Sequence, residues 1–314
     1  MGSKAAWGSI PESIGETLKG LDQQGYLADE ALATCLYLAL RMQRPLFLEG
    51  EPGVGKTELA KVVAKVLDTR LIRLQCYEGL DLNQSVYEWD YPRQLLEIQA
   101  RGSGASHEGE GIADLFSEKF LLKRPLLQAI EASHDQAPVL LIDELDRADE
   151  EFESFLLELL ADFQVTVPEL GTLKAEHKPV VFLTSNRTRE IHDALKRRCV
   201  YHWIEYPSFE KELAIVRRKV PGLEEQVSRQ AVAFIQKVRE QDLYKLPGVA
   251  ETLDWAEALC QLDLKSLDAA AVGATLGFFL KHQDDIEQLR DSTAEILNSA
   301  QAIDSEQPHA AESN

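Results

Sequence analysis

Short apolar runs bounded by turn residues alternate, through the first two thirds of the chain, with segments whose apolar positions recur every three to four residues. The runs PLFLE (45–49), RLIRLQ (70–75), PVLLID (138–143), VVFLTSN (180–186) and VYHWI (200–204) read as buried strands. Helical spacing fills the intervals. DEALATCLYLALRM places Leu32, Leu36 and Leu40 on one face, with Asp29 as cap, and 57–67 aligns Leu59, Val63, Val66 and Leu67. Further helices are predicted near 125–134, over 150–163 and over 190–198, with a hairpin over 164–179. Residues 76–117 are less regular and include the Gly/Ser-rich ARGSGASHEGEG. Strands separated by helices predict a parallel sheet covered on both faces. After YPSFEKELAIVRRKVPG the alternation stops. Residues 227–241, 249–261 and 267–289 read as helices, with a break at Leu246-Pro247-Gly248. The expected organisation is an α/β domain over 1–206, a small all-α domain over 207–290, and a disordered tail over 291–314, where bulky apolar residues are few.

Composition narrows the class. With 53 acidic against 33 basic residues the net charge is −20, which argues against a nucleic-acid binder, because duplex binding is dominated by Lys and Arg on phosphates. The four cysteines form no C-x-x-C pair and the histidines have no metal-ligand spacing, so neither a zinc site nor a disulfide framework is expected. The opening MGSKAAWGSI has no signal-peptide core, Ala6 breaks the myristoylation pattern, and no run approaches a membrane span. A cytoplasmic protein without a membrane span is expected.

The chemistry begins at GEPGVGKT (50–57), which fits G-x-x-x-x-G-K-[ST] between a predicted strand and an amphipathic helix. Its glycines let backbone N–H groups wrap phosphates at a helix N-terminus. The expected nucleotide contacts are Gly50, Glu51, Pro52, Gly53, Val54, Gly55, Lys56, Thr57 and Glu58, with Lys56 on the β/γ-phosphates of ATP and Thr57 on Mg²⁺. VLLIDELD (139–146) delivers Asp143 to the C-terminal edge of the sheet as a second Mg²⁺ ligand. Glu144 follows as the group that orients and deprotonates an attacking water. VVFLTSN ends in Asn186, whose amide would sit beside the γ-phosphate, unless it is a plain turn residue.

The order of these motifs, followed by paired arginines and an all-α segment, resembles an AAA+ ATPase, and more narrowly the MoxR family. The likeness covers roughly residues 20–290 through PLFLEGEPGVGKTELAK, LLIDELDRADEEFESFLLELLADFQVTVPELGT, FLTSNRTREIHDALKRRCVYHWIEYP and LPGVAETLDWAEAL. CYEGLDLNQSVYEWDYPRQLL is similar to the branch that assists maturation of molybdenum-containing carbon monoxide dehydrogenase. The resemblance implies a five-stranded parallel sheet in 5-1-4-3-2 order, an all-α lid, an insertion near 80–117 and a hairpin near 164–179. It also implies a homo-oligomeric, hexameric ring, a client protein such as a molybdenum hydroxylase, and a partner with a von Willebrand factor A domain. Arg198 aligns with the finger that reaches a neighbouring subunit's ATP, with Arg197 as the alternate. One departure stands out: the lid arginine of the family is replaced by GVAETLDW, with Ala250 and Glu251 and no cation.

Several features admit two readings. Lys196, Arg197 and Arg198 form either a catalytic cation cluster or a salt-bridged helix end. Tyr87, Trp89 and Tyr91 alternate with acids, so a strand there would put three rings on one face, either to grip a client or to pack the insertion. Cys199 beside two arginines is a structural thiol or one with a lowered pKa. Two other activities remain open. A P-loop kinase acting on a small molecule would need an acceptor site that the Asp143–Glu144 pair does not suggest. A nucleic-acid-linked motor would need basic insertions, and 76–117 offers only Arg93 and Arg101.

Overall fold

The protein is described by a computed structural model over residues 10–102, 115–132, 136–168 and 170–306. It divides into two compact units. One holds the chain up to Gln24, Ala28–Glu49 and Thr57–Trp203; the other holds Gly25–Leu27, Gly50–Lys56 and the chain from Ile204 on.

The sheet has five strands, β1 (Leu46–Gly50), β2 (Leu71–Gln75), β5 (Val139–Asp143), β8 (Val180–Ser185) and β9 (Val200–Ile204), which belong to the first unit except for the last residues of β1 and β9. Two antiparallel hairpins supply the rest, β3 (Tyr87–Trp89) with β4 (Leu121–Lys123), and β6 (Gln164–Val167) with β7 (Gly171–Lys174). The sheet runs β2-β5-β8-β1-β9. Counted among its own five strands and read from the β9 edge, this is the expected 5-1-4-3-2 order. β2 with β5, β5 with β8 and β8 with β1 pair in parallel. Burial follows position: β1, β5 and β8 are buried at every residue, whereas the edge strands β2 and β9 are not. That is why the central strands read as unbroken apolar runs.

Eight helices accompany these strands in the described chain: α1 (Ile14–Gln23), α2 (Glu30–Met42), α3 (Lys56–Val66), α4 (Leu82–Ser85), α5 (Tyr91–Gly102), α6 (Pro125–Glu131), α7 (Glu150–Asp162) and α8 (Asp193–Lys196). Asp29 caps α2 through Leu32 N–H at 2.8 Å, and Asp149 caps α7 through Phe152 N–H at 2.8 Å. The expected aromatic strand is cut short. Trp89 is buried against Phe116, Tyr87 is half-buried, and Tyr91 opens α5 with its ring exposed, so the three rings do not share a strand face. Most of the Gly/Ser-rich stretch lies outside the described residues.

The second unit packs α9 (Phe209–Lys219), α10 (Glu225–Val238), α11 (Val249–Gln261), α12 (Ala269–Thr275) and α13 (Gln283–Glu306) around Phe234, Trp255 and Phe279. Trp255 is fully buried and its indole N–H donates to Thr275 Oγ1 at 2.8 Å. Two expectations are corrected. The helix predicted over 267–289 breaks at a tight turn, Leu276–Phe278, where Gly277 weakens the helix and Phe279 and Leu280 both enter the core. The tail predicted to be disordered from 291 is helical to Glu306, because Ile296, Leu297 and Ala300 continue the buried stripe begun by Leu289.

Candidate nucleotide site

In the second unit, the chain leaves β1 at Gly50 and turns through Glu51, Pro52, Gly53, Val54 and Gly55 before α3 begins at Lys56. Crowding selects glycine here. A Cβ on Gly50 would sit 2.3 Å from the Ile204 carbonyl oxygen. Gly53 has φ +79°, and a Cβ there would fall 2.8 Å from Glu251 Oε2 and 3.1 Å from Gly248 Cα. Val54 is buried and Glu51 is exposed. Lys56 is only 6% exposed, and its Nζ donates to the Gly50 and Glu51 carbonyls, each at 2.7 Å. An ammonium folded over glycine-rich backbone at the positive end of an 11-residue helix is a donor set that fits a polyphosphate.

The first turn of α11 carries no cation. Ala250 N–H donates to the Gly53 carbonyl at 3.2 Å, and Glu251 Oε2 accepts from Gly248 N–H at 2.9 Å. The first turn of α11 thus meets the loop through a peptide N–H, while its carboxylate caps its own helix. Behind it lies a network absent from the sequence reading. Arg239 donates to both oxygens of the buried Glu212 at 2.7 Å, to the Pro247 carbonyl at 2.8 Å, and covers the Tyr206 ring at 4.6 Å. Burial first, then the charge of Glu51, pushes the Tyr206 hydroxyl up to about 12.

In the first unit, Thr57 and Asp143 come together. Asp143 is 2% exposed, and its Oδ1 accepts from the Thr57 hydroxyl at 2.9 Å and the Thr184 hydroxyl at 2.6 Å. Oδ2 accepts from Arg73 Nε at 2.9 Å and Nη2 at 2.6 Å. A carboxylate and a hydroxyl are the hard oxygen donors that suit Mg²⁺. Glu58 instead faces Lys61 at 3.5 Å on its own helix.

Glu144 follows in the left-handed region, φ 55° and ψ 51°, a conformation that costs a non-glycine residue about 1 kcal/mol or more. Its N–H is held by Thr184 Oγ1 at 2.9 Å. Among the described residues its carboxylate has no hydrogen-bond or ion-pair partner, and it borders a cleft of about 610 Å³ with Tyr77 and Arg147. Asp146 ties this turn to the end of β8. Its Oδ1 accepts from Asn186 N–H at 3.2 Å, and its Oδ2 from Thr188 N–H at 2.9 Å and the Thr188 hydroxyl at 2.7 Å. Asn186 is therefore placed through its backbone, with its amide uncommitted among the described residues. Arg187, next in the chain, is also left-handed at φ 58°. Sequence reading passed over Asp146 although it closes the DELD motif, because nothing in the motif says which strand end it faces. Cys76, beneath this turn, has its thiol pushed up to about 12, first by burial and then by Asp143, Asp146 and Glu144.

The basic cluster resolves into three different roles. Lys196 lies 3.6 Å from the buried Glu49, which also accepts from the Tyr201 hydroxyl at 2.9 Å, and 3.3 Å from Glu190. Arg198 is exposed and donates to the Leu157 carbonyl. Arg197 is exposed and makes no side-chain hydrogen bond or ion pair among the described residues. Arg44 clamps the segment by donating to the carbonyls of Arg197 at 2.6 Å, Arg198 at 3.1 Å and Cys199 at 3.3 Å. The lowered-pKa reading of Cys199 fails: its thiol is buried and pushed up to about 12, because burial outweighs the charge of Arg44.

A parallel sheet with a glycine-rich phosphate loop after its first strand and Asp-Glu after its third defines a P-loop nucleotide-binding protein. Residues 46–205, half the chain, match the profile of the ATPase family associated with various cellular activities (AAA), and the chain belongs to this family of ATP-hydrolysing enzymes. It is 33% identical over 107 residues to midasin from Giardia intestinalis, and 28% identical over 191 residues to a Lon protease from Cytophaga hutchinsonii. Those matches take in 34% and 58% of this chain but span only 2% and 20% of the relatives' lengths. A solved structure of a candidate ATPase from Cytophaga hutchinsonii superposes over 92% of this chain and 93% of its own, at a TM-score of 0.47 and 15% identity. Among the described residues no helix is long and apolar enough to cross a membrane.

Proposed function

We propose that the protein is a Mg²⁺-dependent ATPase of the MoxR type, which couples hydrolysis to remodelling of a client protein. The observation that carries this reading is Glu144, an uncommitted carboxylate held at a strained turn, with its N–H tied to β8 and Asp146 binding the Asn186 backbone. In this reading the Gly50–Gly55 loop and Lys56 bind the β- and γ-phosphates, with Glu58 in the following turn. Thr57 and Asp143 hold Mg²⁺, which when bound neutralises charge on the phosphate oxygens. Glu144 orients the attacking water and takes its proton, and Asn186 positions the same water. Arg198, or Arg197 beside it, serves the site of a neighbouring copy.

The finer reading rests on the resemblance of the CYEGLDLNQSVYEWDYPRQLL stretch and of the linked motifs. It assigns a cytoplasmic hexameric ring, a von Willebrand factor A domain partner, and a molybdenum hydroxylase client whose metallocofactor is being matured. The test is Glu144→Gln. It should bind ATP as the wild type does and hydrolyse it about 10²–10⁴-fold more slowly. Near-normal turnover would remove Glu144 from the mechanism, and a client captured on the ATP-loaded variant would decide the finer reading.

A further inference from the structure

Asp143 is saturated with donors. Its two oxygens take the Thr57 and Thr184 hydroxyls on one side and the Arg73 guanidinium on the other. Arg73 lies on β2, two residues before Gln75, which stands opposite Asp143 in the β2–β5 register. Its Nη2 also donates to Gln75 Oε1, so the guanidinium is oriented from both sides. The two partners differ sharply in environment. The Asp143 side chain is 2% exposed, whereas that of Arg73 is 47% exposed. A carboxylate that buried needs a positive partner, and removing the partner strands an uncompensated charge. A guanidinium reaching it from the solvent side can leave without unpacking the core.

A hydrated Mg²⁺ seeks the same thing from Asp143 that Arg73 takes. Two cations on one carboxylate repel at close range, and the repulsion is weakly screened at a partly buried site. We propose that Arg73 competes with Mg²⁺ for the charge of Asp143, so that metal loading loosens the hold of the guanidinium on this carboxylate. This inference rests on the reading that Thr57 and Asp143 hold Mg²⁺. Arg73 neutralises the buried carboxylate whenever the metal does not, and it raises the Mg²⁺ concentration at which the site fills. Arginine suits the task better than lysine, because its fork reaches Asp143 and Gln75 together.

The test is Mn²⁺ binding to the full chain with a non-hydrolysable ATP analogue, followed by electron paramagnetic resonance. Arg73→Gln should lower the Mn²⁺ half-saturation about fivefold, the upper range for an ion pair with one exposed partner. Arg73→Lys, which keeps the charge and loses the fork, should fall between the two and provides the same reading if the glutamine variant folds poorly. Thermal melting gives an independent measure. Arg73→Gln should melt below the wild type in EDTA, and the gap should close at saturating Mn²⁺ and analogue. Unchanged or weaker Mn²⁺ binding in both variants would overturn the proposal, as would an equal melting deficit with and without metal. If the wild-type nucleotide complex binds no Mn²⁺, the assignment of Thr57 and Asp143 to the metal falls with it; if it binds and Asp143→Asn does not, only the Arg73 result is in question.

Discussion

Asp146 shows how a residue can matter without touching a reacting atom. It is 3% exposed and spends its carboxylate on the backbone of Asn186 and on Thr188, while Thr184 holds Asp143 and the Glu144 N–H. Glu144 and Asn186 are thus set relative to one another by hydrogen bonds between two strand ends. Asp146→Ala should leave ATP-analogue affinity within about threefold and lower kcat about 10²-fold, the usual consequence of an ångström-scale misplacement. Asp146→Asn, which keeps one acceptor, should recover part of the loss. Equal losses in affinity and kcat would make Asp146 merely structural. At this scale the motif residues were legible in the sequence, since Lys56, Thr57, Asp143 and Glu144 follow a pattern whose chemistry dictates its spacing. Arg73, Asp146 and Arg239 were not, because each acts through a partner that is distant in the chain.

Elements were read well where burial is two-sided or periodic. All five sheet strands appear where the apolar runs place them, and Asp29 caps its helix as expected. The two failures have opposite causes. Residues 291–306 look polar as a string, but Ile296, Leu297 and Ala300 fall on one face and are buried. The number of apolar residues matters less there than their angular position. Leu297→Ala should destabilise the protein by about 2–5 kcal/mol, read as a lower urea midpoint. A change under about 0.5 kcal/mol, typical of surface sites, would mean that this end of α13 does not pack. The break at Leu276–Phe278 was hidden for the opposite reason, because the apolar pattern runs through it and only the demands of the core turn the chain.

At the scale of the whole molecule, the proposed function predicts a site completed by a neighbouring copy. Arg198 is exposed and Arg197 has no side-chain partner among the described residues, while Lys196 is occupied by Glu49 and Glu190. If the site is shared, Arg198→Ala should retain ATP binding and lose about 10³-fold or more in kcat. Mixed assemblies should show that mutant subunits fail to stimulate wild-type neighbours. Full activity of pure Arg198→Ala protein would reject the assignment, and a loss confined to Arg197→Ala would move it one residue.

By itself the sequence determined the five strands of the parallel sheet, the glycine-rich motif, the Asp143–Glu144 pair and hence the family, because hydrophobic periodicity and motif chemistry are both local. Only the tertiary structure decided which cations are spent. It puts Lys196 on Glu49, Arg73 on Asp143 and Arg239 on Glu212. Ion pairing depends on which side chains the fold brings within a few ångströms and removes from water, and no local pattern encodes that.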